Sequence, residues 1–325
     1  MEIRTLLTER LGIRHPIIQA PMASCAGGEL AAAVTNAGGF GMIGASMDTA
    51  ETLADKFSEA GNAPIGVGFI TWLIKQNPDL LSVALDRNPK AIMLSFGDHV
   101  PYVDAIKAAG SILICQVQNV AQALQAVETG AEIIIAQGQE AGGHGMTSRS
   151  TMALAPAIVD AVSPGIPVVA AGGIADGRGL AAALALGCAG VSMGTRFAAS
   201  NEAYWPETKK AALIAAKGDD TIRTEVFDIL RRRSTWPSSF NGRGLRTPQT
   251  DRWHGDLDGL YAALDEEKAK ADVAEANGDW SGTAVWAGES VDLVHEISPA
   301  KDIVERIVQE AATVFSKPSH VAFVK

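Results

Sequence analysis

The stretch Ile133-Ile134-Ile135-Ala136-Gln137-Gly138-Gln139-Glu140-Ala141-Gly142-Gly143-His144-Gly145-Met146 decides how this chain is read. Four apolar residues end abruptly in polar side chains and a glycine-rich turn that holds one histidine. An apolar run of that length predicts a buried strand, and the glycines behind it let backbone approach a ligand closely. A second run, Pro167-Val168-Val169-Ala170-Ala171, ends in Gly172-Gly173-Ile174-Ala175-Asp176-Gly177-Arg178-Gly179. A third, Gly190-Val191-Ser192-Met193, ends in Gly194-Thr195. Two consecutive strands that end in glycine, each followed by a helical pattern, make a place for a phosphate. The histidine one strand earlier supplies chemistry.

Outward from these three runs, short apolar strands are predicted at Pro16–Ala20, Gly39–Gly44, Ile65–Phe69, Ala91–Ser95, Ile112–Val117, Ile133–Gln137, Pro167–Ala171 and Gly190–Met193. Alanine- and leucine-rich helical patterns lie between most of them, as at Ala121–Val127 and Leu180–Gly187. This alternation predicts repeated βα units and one closed (β/α)8 TIM barrel. An open doubly wound sheet is the competing fold. Its phosphate fingerprint should follow the first strand, where Ala20-Pro21-Met22-Ala23-Ser24 stands instead. Residues 201–284 change character, richer in charge, Trp and Pro, and are expected to form a mostly helical insertion capping the barrel mouth. The barrel would then comprise residues 1–200 and 285–325. Ser298-Pro299 opens a last amphipathic helix, with Ile303, Ile307, Ala311 and Val314 at helical spacing, expected to close the barrel wall.

The 325 residues hold 27 Lys and Arg against 37 Asp and Glu, a formal net charge of −10. Such a chain has no global attraction for nucleic acid or an anionic membrane. A local group of arginines, Arg223, Arg231, Arg232, Arg233, Arg243, Arg246 and Arg252, reads either as a solvated surface with ion pairs or as a rim for an anion. Cys25, Cys115 and Cys188 lie far apart with no CxxC spacing, which predicts reduced thiols. The amino terminus shows no signal-peptide pattern, and no apolar run reaches the roughly 18–20 residues of a membrane span. A cytoplasmic enzyme is expected; the sequence is also compatible with a homodimer.

Barrel active sites form at the carboxyl ends of the strands, often with a phosphate after strands seven and eight. Gly172, Gly173, Gly194 and Thr195 fall there. No predicted strand ends in a lysine suited to Schiff-base chemistry, and no His, Asp or Glu cluster gives a full metal ligand set. The strand ends offer small residues and neutral amides instead: Ala20, Met22, Gln116 and Gln137. These suit a large planar cofactor held by backbone contacts, and flavin mononucleotide (FMN) fits, with its phosphate on the glycines and its ring across the mouth. Asp98 and His99 could line the pocket or form an ordinary polar loop. Trp253-His254-Gly255 could cover the ring or pack within the cap, and Ile70-Thr71-Trp72-Leu73 could wall the site. Glu140 is expected to brace its loop through backbone hydrogen bonds.

Four motifs together, Gln19-Ala20-Pro21-Met22-Ala23, Gln137-Gly138-Gln139-Glu140-Ala141-Gly142-Gly143-His144, Ala171 to Gly179 and Met193-Gly194-Thr195-Arg196-Phe197, resemble the nitronate monooxygenase family, formerly called 2-nitropropane dioxygenases. The resemblance runs from about residue 10 to 200, with weaker echoes at Phe240–Arg246 and Pro299-Ala300. It implies FMN contacts at Ala20, Met22, Gln116, Gln137, Gly142, Gly143, Ala171, Gly172, Gly173, Gly194 and Thr195. It also implies oxidation of a nitronate or nitroalkane by oxygen to a carbonyl compound and nitrite, with His144 as general base. Histidines ordinarily titrate near 6.5, which suits proton removal beside a nitro group at neutral pH. Gln116 stands where some relatives have lysine, and Gly145-Met146 stand where many nitronate oxidisers have an arginine. Two alternatives stay open. One is an NAD(P)H-dependent reductase of quinones or enoyl thioesters on the same barrel. The other is a non-redox barrel for a phosphorylated metabolite.

Overall fold

The computed structural model describes residues 2–162, 164–232 and 236–316. Its strands are β1 (Ile17–Gln19), β2 (Met42–Gly44), β3 (Gly66–Ile70), β4 (Ala91–Ser95), β5 (Ile112–Val117), β6 (Ile133–Gln137), β7 (Gly143–Gly145), β8 (Val168–Ala171), β9 (Gly190–Met193), β10 (Thr221–Thr224) and β11 (Asn241–Leu245). One parallel sheet runs β1-β9-β8-β6-β5-β4-β3-β2. Its two edges meet at Phe40, which bridges Ile18: Gln19 N–H donates to Phe40 O at 2.9 Å and Phe40 N–H donates to Ile17 O at 2.8 Å. The sheet is therefore a (β/α)8 barrel, and each of its strands falls on a predicted apolar run.

Side-chain alternation along the strands divides the core in two. One set of positions, including Ile18, Met42, Met93, Ile114, Ile133, Ile135 and Val169, fills the barrel interior, and Leu7 and Leu11 of the amino-terminal helix pack against it. The intervening positions, such as Ile17, Val67, Ile92, Leu113, Ile134, Val168 and Val191, pack outward beneath the helices. This parity positions the site. Two residues beyond Ile114 and Ile135, inward-facing places fall to Gln116 and Gln137 at the carboxyl ends of β5 and β6.

The final helix, Ala300–Ser316, buries Ile303, Val304, Ile307, Val308 and Ala311. It packs against the helices Gly177–Ala185 and Gly28–Asn36, which closes the wall between the last and first units. Val314, expected on the same buried face, is 40% exposed. Gly177, the first residue of the partner helix, already rests against Ile307 and Ala311, and Val314 lies one turn further on.

Between β9 and this helix, residues 201–284 contain the helices Glu207–Ala215, Val226–Leu230, Pro248–Trp253, Leu257–Ala262 and Leu264–Ala276 together with β10 and β11. Val226, Ile229, Leu230, Trp253 and Leu260 form a small core of their own. The three-stranded antiparallel sheet β10-β11-β7 joins this region to the barrel, because β7 belongs to the loop after β6. In that sheet His144 lies opposite Gly242. Among the described residues, no helix is long and apolar enough to cross a membrane.

Candidate active site

The carboxyl ends of the barrel strands surround a cavity. His144 lines it together with Ala20, Met22, Gln116, Gln137, Gly142, Gly143, Ala171, Gly172, Gly173, Gly194 and Thr195. The structure thus brings every residue singled out from the sequence as cofactor-binding or catalytic to one place. No Lys, Arg, Asp or Glu lies among the described residues that line it. Cys25 also lines it but is only 1% exposed, and burial pushes its thiol up to about 12.

Two glutamines set the polar register of the floor. Gln137 Oε1 accepts from Gln116 Nε2 at 3.1 Å and from Gln118 Nε2 at 2.9 Å. Gln137 Nε2 donates to His144 O at 3.1 Å. The Gln137 amide is therefore oriented from both ends and ties β5, β6 and the histidine loop together. With its NH2 group donating to Gln137, Gln116 retains a carbonyl acceptor.

The glycines form a cradle. Gly143, Gly172 and Gly173 have φ of +70°, +106° and +72°, a region that L side chains rarely adopt. A Cβ on Gly172 would lie 2.9 Å from Thr151 Oγ1, and one on Gly142 would lie 2.6 Å from Ala287 C and Gly288 N. Glu140 braces the turn from behind: its carboxylate accepts from Thr151 N–H at 3.0 Å, at the start of the helix Thr151–Val162. Thr195 Oγ1 accepts from Gly288 N–H at 3.0 Å, which leaves the hydroxyl proton free to donate. Neutral donors, glycine backbone and no opposing carboxylate in the lining fit a phosphate monoester, and the amide-lined floor fits a flat heterocycle.

His144 is held on several sides. Its Nε2 lies 2.9 Å from Asp228 Oδ2, and the two side chains are 12% and 7% exposed. Trp236 stacks on the ring with centroids 3.6 Å apart and planes at 4°, while Trp286 stands 5.2 Å away at 53°. Edge-on contacts continue this cluster from Trp236 to Trp72 and Phe96, and from Trp286 to Phe227. Phe96 lies just past β4 at φ +64°, a left-handed conformation uncommon for a bulky residue and characteristic of strain held at a site. Arg223 of β10 is half-buried under the loop. Its Nη2 donates to Gln139 O and Ala141 O, both at 2.9 Å, and its Nη1 donates to Gly145 O at 3.2 Å and Asn241 O at 2.6 Å. Burial, with Arg243 as a lesser cause, lowers its pKa to about 10. Gly145-Met146, not an arginine, follow His144 directly, and β10 of the cap brings Arg223 to the loop from outside.

A profile of the nitronate monooxygenase family matches residues 4–80 and 71–310, nearly the whole chain. The chain belongs to the nitronate monooxygenase family. It is an oxidoreductase. The nitronate monooxygenase npaC of Metarhizium robertsii is 34% identical over 333 residues, covering 92% of each chain. A dehydrogenase of Mycobacterium tuberculosis, named for a 5-hydroxy-7a-methyl-1-oxo-octahydro-1H-indene-4-carboxyl-CoA, is 30% identical and covers 96% of this chain and 97% of its own. Among solved structures, a nitroalkane oxidase of Streptomyces ansochromogenes superposes with a TM-score of 0.81 at 27% identity, covering 97% of this chain and all of that one.

Most other residues weighed from the sequence lie elsewhere in this nitronate monooxygenase family member. His99 Nε2 lies 2.6 Å from Thr129 Oγ1 and Asp98 Oδ1 accepts from Val100 N–H at 3.1 Å, so both serve their loop. Trp253 is buried in the small cap core, and His254 Nδ1 lies 3.1 Å from Thr224 Oγ1. Ile70 lines the cavity, and Trp72 meets it through Trp236. Arg232, Arg243, Arg246 and Arg252 pair with Asp265, Glu289, Asp251 and Glu267. Arg231 is exposed and lies outside the lining of the mouth, and Arg233 lies outside the described residues. Sequence reasoning missed Asp228, Trp236 and Trp286. The available signal was Asp228 itself, a lone acid in the run Val226-Phe227-Asp228-Ile229-Leu230, since a buried carboxylate requires a partner.

Proposed function

We propose that this enzyme binds FMN and uses oxygen to oxidise alkyl nitronates and nitroalkanes to a carbonyl compound and nitrite, with His144 as the general base. The observation that carries the reading is the isolation of His144. Among the described lining residues it is the one imidazole, no Lys, Arg, Asp or Glu lines the cavity with it, and it stands beside the glycine cradle. Gly172, Gly173, Gly194 and Thr195 would hold the phosphate, and Ala20, Met22, Gln116, Gln137, Gly142, Gly143 and Ala171 would frame the ring. Bound FMN supplies the electron acceptor that returns electrons to oxygen. The chain's own part is to seat the substrate against the aromatic wall, exclude water, and take the proton from the carbon beside the nitro group. Residues 201–284 then act as the cap on a barrel of residues 1–200 and 285–325, of which residues 1, 163 and 317–325 lie outside the described residues.

The name of the Mycobacterium relative, a carboxyl-CoA dehydrogenase, favours a second reading, redox chemistry on a CoA thioester on the same barrel, in line with the reductase of enoyl thioesters weighed from the sequence. The cavity weighs against it, because no Lys or Arg lines the described mouth to meet a pyrophosphate. The deciding experiment is anaerobic mixing of the purified protein with a nitronate, and separately with NADH and NADPH, while flavin absorbance is followed. Bleaching by nitronate supports the proposal; rapid bleaching by NAD(P)H alone overturns it. For the base, His144→Asn should retain flavin while turnover of neutral nitroalkane falls by about 100-fold or more. A wild-type rate in that variant removes His144 from the role.

A further inference from the structure

We propose that Asp228 is the positioning residue of the base. Its carboxylate accepts the Nε2 proton of His144, holds the neutral ring in the Nε2–H tautomer, and so makes Nδ1 the atom that receives the substrate proton. The inference rests on His144 acting as the base and goes further, to which nitrogen reacts and why the cap is needed.

The arrangement leaves the ring little choice. Nε2 lies 2.9 Å from Asp228 Oδ2, one face carries Trp236 at 3.6 Å, and Trp286 stands at 53° beside it. Nδ1 has no hydrogen-bond partner among the described residues, and it is not among the buried atoms left without one, so it opens toward the cavity. The backbone on which the ring is mounted is fixed in turn, since His144 O accepts from Gln137 Nε2 and β7 pairs with β11. Asp228 makes no other side-chain hydrogen bond or ion pair among the described residues. A carboxylate at 7% exposure that served only the cap would be costly to bury without that partner.

The chemistry follows from the tautomer. A neutral imidazole has one N–H and one lone pair, and the hydrogen bond made by one nitrogen decides which nitrogen is the base. When Nδ1 takes a proton, the ring becomes cationic and the Asp228 carboxylate stabilises it. The step is redox-neutral: the α-C–H bond breaks with its electron pair left on the nitronate, and the Nδ1 lone pair forms the new N–H bond. The other charged groups around the loop are Arg223 of β10 beneath Gly145, Arg243 of β11 with Glu289, and Glu140, which is engaged with Thr151. His254 lies nearby on Thr224.

The test uses flavin-loaded, full-length wild type, Asp228→Asn, Asp228→Glu and His144→Asn. Side-chain 15N shifts of histidine report the tautomer directly, and the His144 signal among the six histidines is the one lost in His144→Asn. Wild type above neutral pH should show the Nε2–H form and Asp228→Asn a changed population. The kcat/KM of Asp228→Asn on a neutral nitroalkane should fall about 100-fold further than its kcat/KM on the matching preformed nitronate. The acid limb of the nitroalkane pH profile should move to lower pH, because the imidazolium has lost its anion. Asp228→Glu should recover part of both effects. The proposal is overturned if Asp228→Asn keeps the wild-type tautomer and acid limb while His144→Asn is inactive. If His144→Asn retains nitroalkane turnover, the base reading falls and this one with it. Flavin content and melting temperature separate either result from misfolding.

Discussion

Gly172 shows how closely single residues limit the site. Its φ of +106° and the 2.9–3.1 Å approach of Thr151 Oγ1, Ala141 N and Gly138 O leave no room for a methyl group. Gly172→Ala should cost about 1–2 kcal/mol for the left-handed backbone alone, and the shifted turn should lose the cofactor. We expect the variant to purify largely without flavin absorbance while its far-ultraviolet circular dichroism remains that of the wild type. Full flavin occupancy would show that the cradle tolerates a side chain. At this scale the sequence was informative wherever a residue's role follows from local geometry. The glycines after β8 and β9 announce close backbone approach, and Gln116 and Gln137 announce a polar floor at the end of two apolar strands. Asp228 could not be read in that way. Its partner lies 84 residues earlier in the chain, and only the pairing of β7 with β11 brings the two together.

Among the elements, β7 has the least conventional position: it belongs to a barrel loop by sequence and to the cap sheet by hydrogen bonding. Arg223 locks it there through four carbonyl oxygens, three of them in residues 139–145. Arg223→Met should strand several of these acceptors and destabilise the fold by about 3 kcal/mol, read as a lower urea midpoint, and should also weaken flavin retention. A shift under about 0.5 kcal/mol, the scale of an ordinary surface substitution, would mean that the loop holds its shape without the clamp. The barrel strands were legible because each is a short apolar run with glycine or a polar residue at its end. β10 and β11 were not, since Thr221-Ile222-Arg223-Thr224 and Asn241-Gly242-Arg243-Gly244-Leu245 bury polar and glycine positions whose partners come from elsewhere. In sequence, Arg223 is one of a group of arginines that reads either as a solvated surface or as a rim for an anion.

For the whole molecule, the rhythm of strands and helices was sufficient to give the barrel, because a parallel strand can pair with the next only through a crossover helix. Stability beyond that rhythm includes a feature that no periodicity reveals. Lys209 lies 4.6 Å from the Trp205 ring and 4.8 Å from the Trp280 ring, with no ion-pair partner among the described residues. Burial, with Arg231 as a lesser cause, lowers its pKa from 10.5 to about 8. The folded state therefore binds fewer protons than the unfolded state between pH 8 and 10.5, and this group's contribution to stability rises with pH across that window. Relative to Lys209→Met, the wild type should gain melting temperature from pH 8 to pH 10, and a constant difference would contradict the assignment. The strand that leaves the barrel to join the cap also bears on how such proteins diversify. The histidine sits on one contributor and its carboxylate on the other. A cap exchanged between relatives at the apparent boundary after β9 would carry away two strands of a three-stranded shared sheet and the carboxylate that we propose positions the histidine. On the proposed pairing the two are inherited together, and the seam between β7 and β11 is where they meet.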